Sequence, residues 1–189
     1  MQEIEHLERY KFFFQIFLFL VFLSSLNFSQ RFPFAKVDEL LTNGIASMNR
    51  GDYSLAEKYF LELRKDYANL PFGDVYLAAV EITRASDFGI EINKNKINNY
   101  LESATQKANA LYEQNENDLW NRYAMALTEG YWAYFEALQK DWIDAFAKGT
   151  SSINYFEECL EINKNFSEAF IALGTYKYWR SRKTESLTC

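Results

Sequence analysis

The segment from Asn43 to Leu63, NGIASMNRGDYSLAEKYFLEL, predicts two short helices that pack closely against each other. Gly44 lies inside the apolar-periodic run of the first helix, although a glycine there costs about 1 kcal/mol relative to alanine. Gly51 ends that run, and Ala56 and Phe60 lie one turn apart in the second helix. Small residues inside two neighbouring helices, flanked by large ones, let the two backbones come close together. The chain is therefore expected to be built from helical hairpins.

The same arrangement of small and large residues returns along the chain. Ala78, Gly130 and Gly174 follow the first glycine as small residues inside later helical patterns. This arrangement resembles the tetratricopeptide repeat, a helix–turn–helix unit of about 34 residues. The segment IALGTYKYW, Ile171–Trp179, resembles the first helix of such a repeat, whereas Lys164 stands where the family normally places proline.

The resemblance implies an all-α fold, an antiparallel helix-pair solenoid of about three and a half units. It also implies a concave surface that binds peptides or proteins without catalysis. We assign this domain to residues 34–180, followed by a frayed tail at residues 181–189. The apolar spacing predicts helices at Val37–Arg50, Tyr53–Tyr67, Pro71–Ala85, Ile97–Gln114, Asp118–Gln139, Trp142–Ile162 and Glu168–Arg180. No partner helix is predicted for the last of these, so we expect a fragment of a longer array, the alternative being a final helix that packs unpaired as a cap.

The N-terminal residues 1–29 are interpreted separately, as a signal peptide or a membrane anchor. Phe12–Leu23, FFFQIFLFLVFL, is an apolar run shorter than the roughly 20 residues of a membrane span, and several serines follow it. We expect cleavage between Ser29 and Gln30, which would remove His6, the only histidine. The protein is then exported, with the periplasm as its expected location. The alternative is an uncleaved segment that anchors the protein to the membrane through residues 12–28.

Several functional classes have no support in the sequence. The net charge is −6 and no stripe of Lys and Arg is present, which argues against a nucleic-acid partner. No glycine-rich phosphate loop, C-x-x-C pair or nucleophile elbow occurs. Cys159 is expected to be a small buried residue and Cys189 is the last residue, and their pairing stays open. We therefore expect no catalytic residues, no cofactor and no metal site.

Two sets of residues are candidates for binding. On the concave face that the resemblance implies, the predicted partner-binding residues are Asn43, Ser47, Glu81, Tyr123 and Lys177. The second set is an aromatic block that could line a groove for a small hydrophobic ligand: Tyr131, Trp132, Phe135, Trp142 and Phe146. It keeps open a rival function, a periplasmic helical-repeat carrier similar to the T-component of tripartite transporters. The same aromatics could instead fill the space between long helices.

Two glutamates on the same predicted helix need a separate interpretation. Glu129 and Glu136 are seven residues apart and would share a helix face, as a pair of catalytic carboxylates could. Nothing else in the sequence supports a hydrolytic site. We expect a solvated face, or an ion pair between these glutamates and Arg122.

Overall fold

Seven α-helices follow one another in residues 32–185, the part of the chain that the computed structural model describes, with side chains described for residues 32–177. They are α1 (Ala35–Asn49), α2 (Tyr53–Asp66), α3 (Phe72–Phe88), α4 (Lys94–Gln114), α5 (Leu119–Gln139), α6 (Trp142–Ile162) and α7 (Ser167–Glu185). Within these residues no strand occurs, which confirms the predicted all-α class. The predicted signal or anchor segment, its cleavage point, His6 and Cys189 lie outside the described residues.

Side-chain caps explain where several helices begin. The residues before α2, α4, α5 and α6 each accept hydrogen bonds from backbone N–H groups of the first turn: Asp52, Asn93, Asp118 and Asp141. These bonds satisfy donors that the helix itself leaves free. The N-cap at Asn93 starts α4 at Lys94, three residues before the predicted start at Ile97. α6 has the predicted bounds.

The last helix is longer than predicted. The sequence pattern predicts its end at Arg180, whereas α7 continues to Glu185. No glycine or proline lies between these two residues, so nothing in the local sequence breaks the helix. Part of the predicted frayed tail is therefore helical.

Neighbouring helices in the chain pack against each other. Every helix contacts the next one along the chain, and α3 also contacts α5. The connections are short, and along the chain the helices can be grouped into the neighbouring pairs α1–α2, α3–α4 and α5–α6, with α7 following. Every residue from Phe72 to Ile82 in α3 is buried, so this helix lies at the centre of the packing. None of the helices in residues 32–185 combines the length and apolar character needed to cross a membrane.

Glycines lie where helices approach each other most closely. A methyl group added to Gly44 of α1 would lie 2.4 Å from Cε1 of Phe60 in α2, and one on Gly130 of α5 would lie 2.9 Å from Oγ of Ser152 in α6. These two contacts confirm the expected close approach within the first and third pairs. A third close approach involves the backbone itself. A methyl group on Gly73 would lie 2.7 Å from the backbone nitrogen of Arg64, which cannot move aside as a flexible side chain can.

Candidate partner-binding surface

The predicted concave-face residues lie in different environments. Asn43 in α1 is half-buried and Lys177 in α7 is exposed. Ser47 is buried, and its hydroxyl oxygen accepts a hydrogen bond from the Arg50 guanidinium at 3.2 Å. Of the residues proposed for α1 and α7, only Asn43 and Lys177 therefore offer accessible polar atoms.

Glu81 is held by cations of its own chain. It is 8% exposed, and its carboxylate lies 2.5 Å from Nζ of Lys96 and 2.8 Å from the Arg84 guanidinium. Glu57 completes the cluster at 3.5 Å from the Lys96 ammonium. Burial alone would lower the pKa of Lys96, but the hydrogen bond and charge of Glu81, with Glu57, raise it. The charge of Glu81 is thus already balanced by α3 and α4.

Tyr123 lies in a buried aromatic cluster between helices. Its ring centroid is 5.9 Å from Phe72 of α3, 6.1 Å from Phe156 of α6 and 5.3 Å from Phe166, which directly precedes α7. Trp120 completes the cluster at 5.6 Å, with its ring perpendicular to that of Tyr123. Burial raises the pKa of Tyr123, because the phenolate would lose its hydration in this cluster. This residue joins helices rather than facing a partner.

A second buried charged residue, Asp74, was not predicted from the sequence. Asp74 in the first turn of α3 is fully buried, with its carboxylate 2.7 Å from Nε of Arg64 in α2 and 2.5 Å from Nζ of Lys107 in α4. The Ser103 hydroxyl donates a further hydrogen bond to it at 3.1 Å. The sequence signal for this site is an aspartate in the first turn of a helix whose neighbouring residues are apolar. The cluster connects α2, α3 and α4, and the charge of Asp74 is compensated internally.

The predicted aromatic block divides between interior and surface. Phe135 is fully buried, Tyr131 is half-buried, and the Trp132 indole donates a hydrogen bond to the Thr105 hydroxyl at 2.9 Å. Burial, followed by the nearby phenol of Tyr76, raises the pKa of Tyr131. Trp142 and Phe146, in contrast, are 58% and 74% exposed. The five residues therefore do not share one environment, as the lining of a single ligand groove would.

The exposed members belong to an apolar surface at the end of the α5–α6 hairpin. We call it the hairpin-tip surface and define it by five exposed side chains: Tyr134, Leu138, Trp142, Ile143 and Phe146. Ile143 is the most exposed of them, at 83%. Lys140 makes the tight turn with a positive φ of 67°, and the side chain of Asp141 caps α6. This turn brings the apolar positions of both helices to one end of the hairpin.

The two halves of α6 differ in burial. Its C-terminal half contributes Ser152, Phe156 and Cys159 to the interior, whereas the large apolar side chains of its first turns are exposed. Cys159 is a buried free thiol, as predicted, and burial raises its pKa to about 12. The N-terminal half thus carries large apolar side chains that are exposed, Ile143 and Phe146 most of all.

Charged groups border the hairpin-tip surface. Burial raises the pKa of Glu136, and the negative charges of Asp141 and Asp144 raise it further against the opposing effect of Lys148. Lys148 also pairs with Glu129 at 3.1 Å. Glu129 is buried and pairs with Lys148 of the facing helix, so for this residue both expectations, a solvated face and an ion pair with Arg122, are wrong.

The actual partner of Arg122 is also on α6. Arg122 forms an ion pair with Glu158, and its guanidinium lies 5.9 Å from the ring centroid of Tyr112. This pair connects α5 to α6 near the opposite end of the hairpin from the tip. Arg122 and Glu129 therefore each pair with a residue of the facing helix that only the fold brings close.

Two further findings concern the identity of the site. Within residues 32–185, no group of three or more His, Cys, Asp or Glu side chains is arranged to hold a metal ion. Comparisons with protein-family models, with curated proteins and with solved structures found no match to this chain.

Proposed function

We propose that this chain is a non-catalytic helical scaffold that binds a protein or peptide partner through the hairpin-tip surface. The observation that carries the proposal is the group of exposed aromatic and aliphatic side chains in the first turns of α6, with Ile143 at 83% and Phe146 at 74% exposure. Large exposed apolar patches are uncommon on monomers and mark interaction sites. Trp and Tyr are also enriched among the residues that dominate binding energy at interfaces.

A tetratricopeptide-like solenoid is part of the proposal. The supporting features are helix pairs in succession, contacts between α3 and α5, and glycines at the closest approach within two pairs. An exported location, periplasmic or held at a membrane by a retained N-terminal segment, is also part of it. The net charge of −6 makes a protein partner more suitable than a nucleic acid.

The rival function, a carrier of a small hydrophobic ligand, gains no support from the arrangement. A carrier needs its aromatic residues around one enclosed volume. Here Trp132 and Phe135 lie among the helices of the interior, whereas Trp142 and Phe146 face outward. The outward pair suits contact with another macromolecule better than enclosure of a ligand.

The test is photo-crosslinking in the producing cell. A photoreactive phenylalanine analogue replaces Phe146 in the full chain, and a matched control carries it at Phe88, which is 66% exposed at the end of α3. We expect a discrete protein adduct from position 146 that is absent from position 88. Ile143→Ser, which removes an exposed apolar group without touching the core, should abolish the adduct.

Two results would count against the scaffold. Identical adducts from both positions would mean that the hairpin-tip surface has no special role. Adducts with lipid or a small molecule at position 146, without any protein, would assign the surface to a different function.

A further inference from the structure

The ion cluster around Glu81 is balanced in charge. Its two carboxylates, Glu57 and Glu81, lie 2.5–3.9 Å from two cations, Arg84 and Lys96, and each cation contacts both carboxylates. The formal charges of the four side chains therefore cancel. This cluster provides a reference for the second one, which lies on the same three helices.

The cluster around Asp74 has more positive than negative charge. Arg64 and Lys107 both contact the single carboxylate of Asp74, and no other carboxylate of residues 32–177 lies within ion-pair distance of either cation. One positive charge is therefore left over. Asp74 is fully buried, whereas the side chains of Arg64 and Lys107 are 41% and 21% exposed. The excess charge thus lies on the solvent side of the cluster, although the chain as a whole carries a net charge of −6.

The guanidinium of Arg64 is held in place but its hydrogen-bond donors are unused. Oδ1 of Asp74 lies 2.7 Å from Nε of Arg64 yet accepts no hydrogen bond, so this contact is one of charge. The ring of Tyr100 supports the guanidinium, with its centroid 5.3 Å from Cζ of Arg64. Among residues 32–177, no oxygen accepts a hydrogen bond from any of the five N–H groups of Arg64. A guanidinium of this kind is suited to an oxyanion, which it can hold through two parallel hydrogen bonds.

Lys107 supplies a second cation from the opposite helix, α4. Its Nζ lies 2.5 Å from Oδ2 of Asp74, and the Ser103 hydroxyl donates a hydrogen bond to the same oxygen at 3.1 Å. An ammonium carries three donors and the carboxylate takes one of them, so donors of Lys107 remain available. Because Lys107 and Arg64 contact the same carboxylate, the two cations are close neighbours and can act on one anion.

We propose that Arg64 and Lys107 bind an oxyanion, the carboxylate or phosphate group of a ligand, at the surface between α2 and α4. The buried carboxylate of Asp74 holds both cations from beneath, so little side-chain freedom is lost when the anion binds. The anion supplies the negative charge that this cluster lacks and that the Glu81 cluster already has. Binding is weak for a single excess charge on an acidic protein. The site is separate from the hairpin-tip surface and does not depend on its function.

The test is protection of Arg64 from phenylglyoxal, which modifies arginine, in the full chain. Arg84 is the internal control, because its side chain is 32% exposed but already contacts two carboxylates. Peptide mass spectrometry follows both arginines in inorganic phosphate and in acetate, each compared with sodium chloride at equal ionic strength. We expect an oxyanion to slow the modification of Arg64 several-fold and to saturate, with no change at Arg84. Stronger protection by phosphate would assign a phosphate-bearing ligand, and stronger protection by acetate a carboxylate.

A matched pair of lysine variants tests whether the second cation takes part. Lys107→Gln removes it and should raise the anion concentration that gives half-maximal protection of Arg64 about tenfold. Lys96→Gln removes a lysine from the balanced cluster and should leave that concentration unchanged. Circular dichroism checks that both variants are folded, and the measurement on the parent chain needs neither of them.

Three outcomes would overturn the oxyanion site. The first is no saturable protection of Arg64 by either anion. The second is equal protection of Arg64 and Arg84, which indicates a general effect of the salt. The third is an equal response of the Lys107→Gln and Lys96→Gln variants. The photo-crosslink at Phe146 involves none of these residues, so its failure is distinguishable from failure of this site.

Discussion

Replacing Gly44 with alanine tests the close approach of the first two helices. The added methyl group would lie 2.4 Å and 2.5 Å from two carbons of the Phe60 ring, whereas non-bonded carbons normally stay about 3.5–4.0 Å apart. The ring must therefore retreat by about 1 Å. It has little room to do so, because Phe60 is fully buried and stacks on Tyr76 with a centroid distance of 5.0 Å.

The magnitude follows from two opposing effects. Overpacking of this kind costs about 1–3 kcal/mol, and the better helix propensity of alanine returns about 1 kcal/mol. We expect Gly44→Ala to lose about 1 kcal/mol of unfolding free energy. Gly44→Leu should lose more, about 3 kcal/mol, because the larger leucine side chain would clash with the same Phe60 ring.

Gly149→Ala is the matched control. Its methyl group would lie 3.7 Å from Cβ of Ala133, an ordinary contact, so only the gain in helix propensity remains. The control should therefore gain about 1 kcal/mol, and the two alanine variants should differ by about 2 kcal/mol. For a chain of this length that corresponds to roughly 4–8 °C in Tm. The assay is thermal and urea denaturation followed by far-UV circular dichroism, and equal stability of the two variants would refute the helix contact.

Three further predictions concern buried polar groups. Lys107→Met leaves the carboxylate of Asp74 with one cation fewer and should cost about 2 kcal/mol in urea denaturation, a loss that Asp74→Asn in the same background should partly restore. Because burial raises its pKa to about 12, the Cys159 thiol should resist alkylation at mildly alkaline pH and react only after denaturant is added, as peptide mass spectrometry would show. Because the pKa of Glu136 is raised, the folded state binds this proton more tightly than the unfolded state does. Protonated Glu136 therefore stabilises the fold at low pH, and this stabilisation is lost as the pH rises through the raised pKa. Glu136→Gln should therefore have a higher urea midpoint than the parent at neutral pH, and the difference should vanish below about pH 4.

The helices could be predicted from the sequence because their signals are local. Apolar spacing gave the bounds of α6, and the capping residues Asp52 and Asp141 stand directly before their helices. The late prediction for the start of α4 has a local cause as well, since the cap by Asn93 outweighed the first strongly apolar residue, Ile97.

The surroundings of the candidate site residues could not be predicted in the same way. Glu81 was expected on an open face, but its cation Lys96 comes from the following helix. Tyr123 was expected to be accessible, but the rings that cover it come from three other parts of the chain. Such contacts depend on the angle and register between helices, which the spacing within one helix does not specify. The exposure of the first turns of α6 could not be predicted for the same reason, because apolar spacing alone does not show where a covering helix ends.

The burial of α3 has a consequence for how chains of this kind can change over time. From Phe72 to Ile82 every position is enclosed, so almost any substitution there alters packing on several sides at once. The first turns of α6 and the outer side of α7, where Phe170 and Ile171 are exposed, carry no such constraint. Related sequences can therefore vary at these two places while the central helix stays nearly fixed.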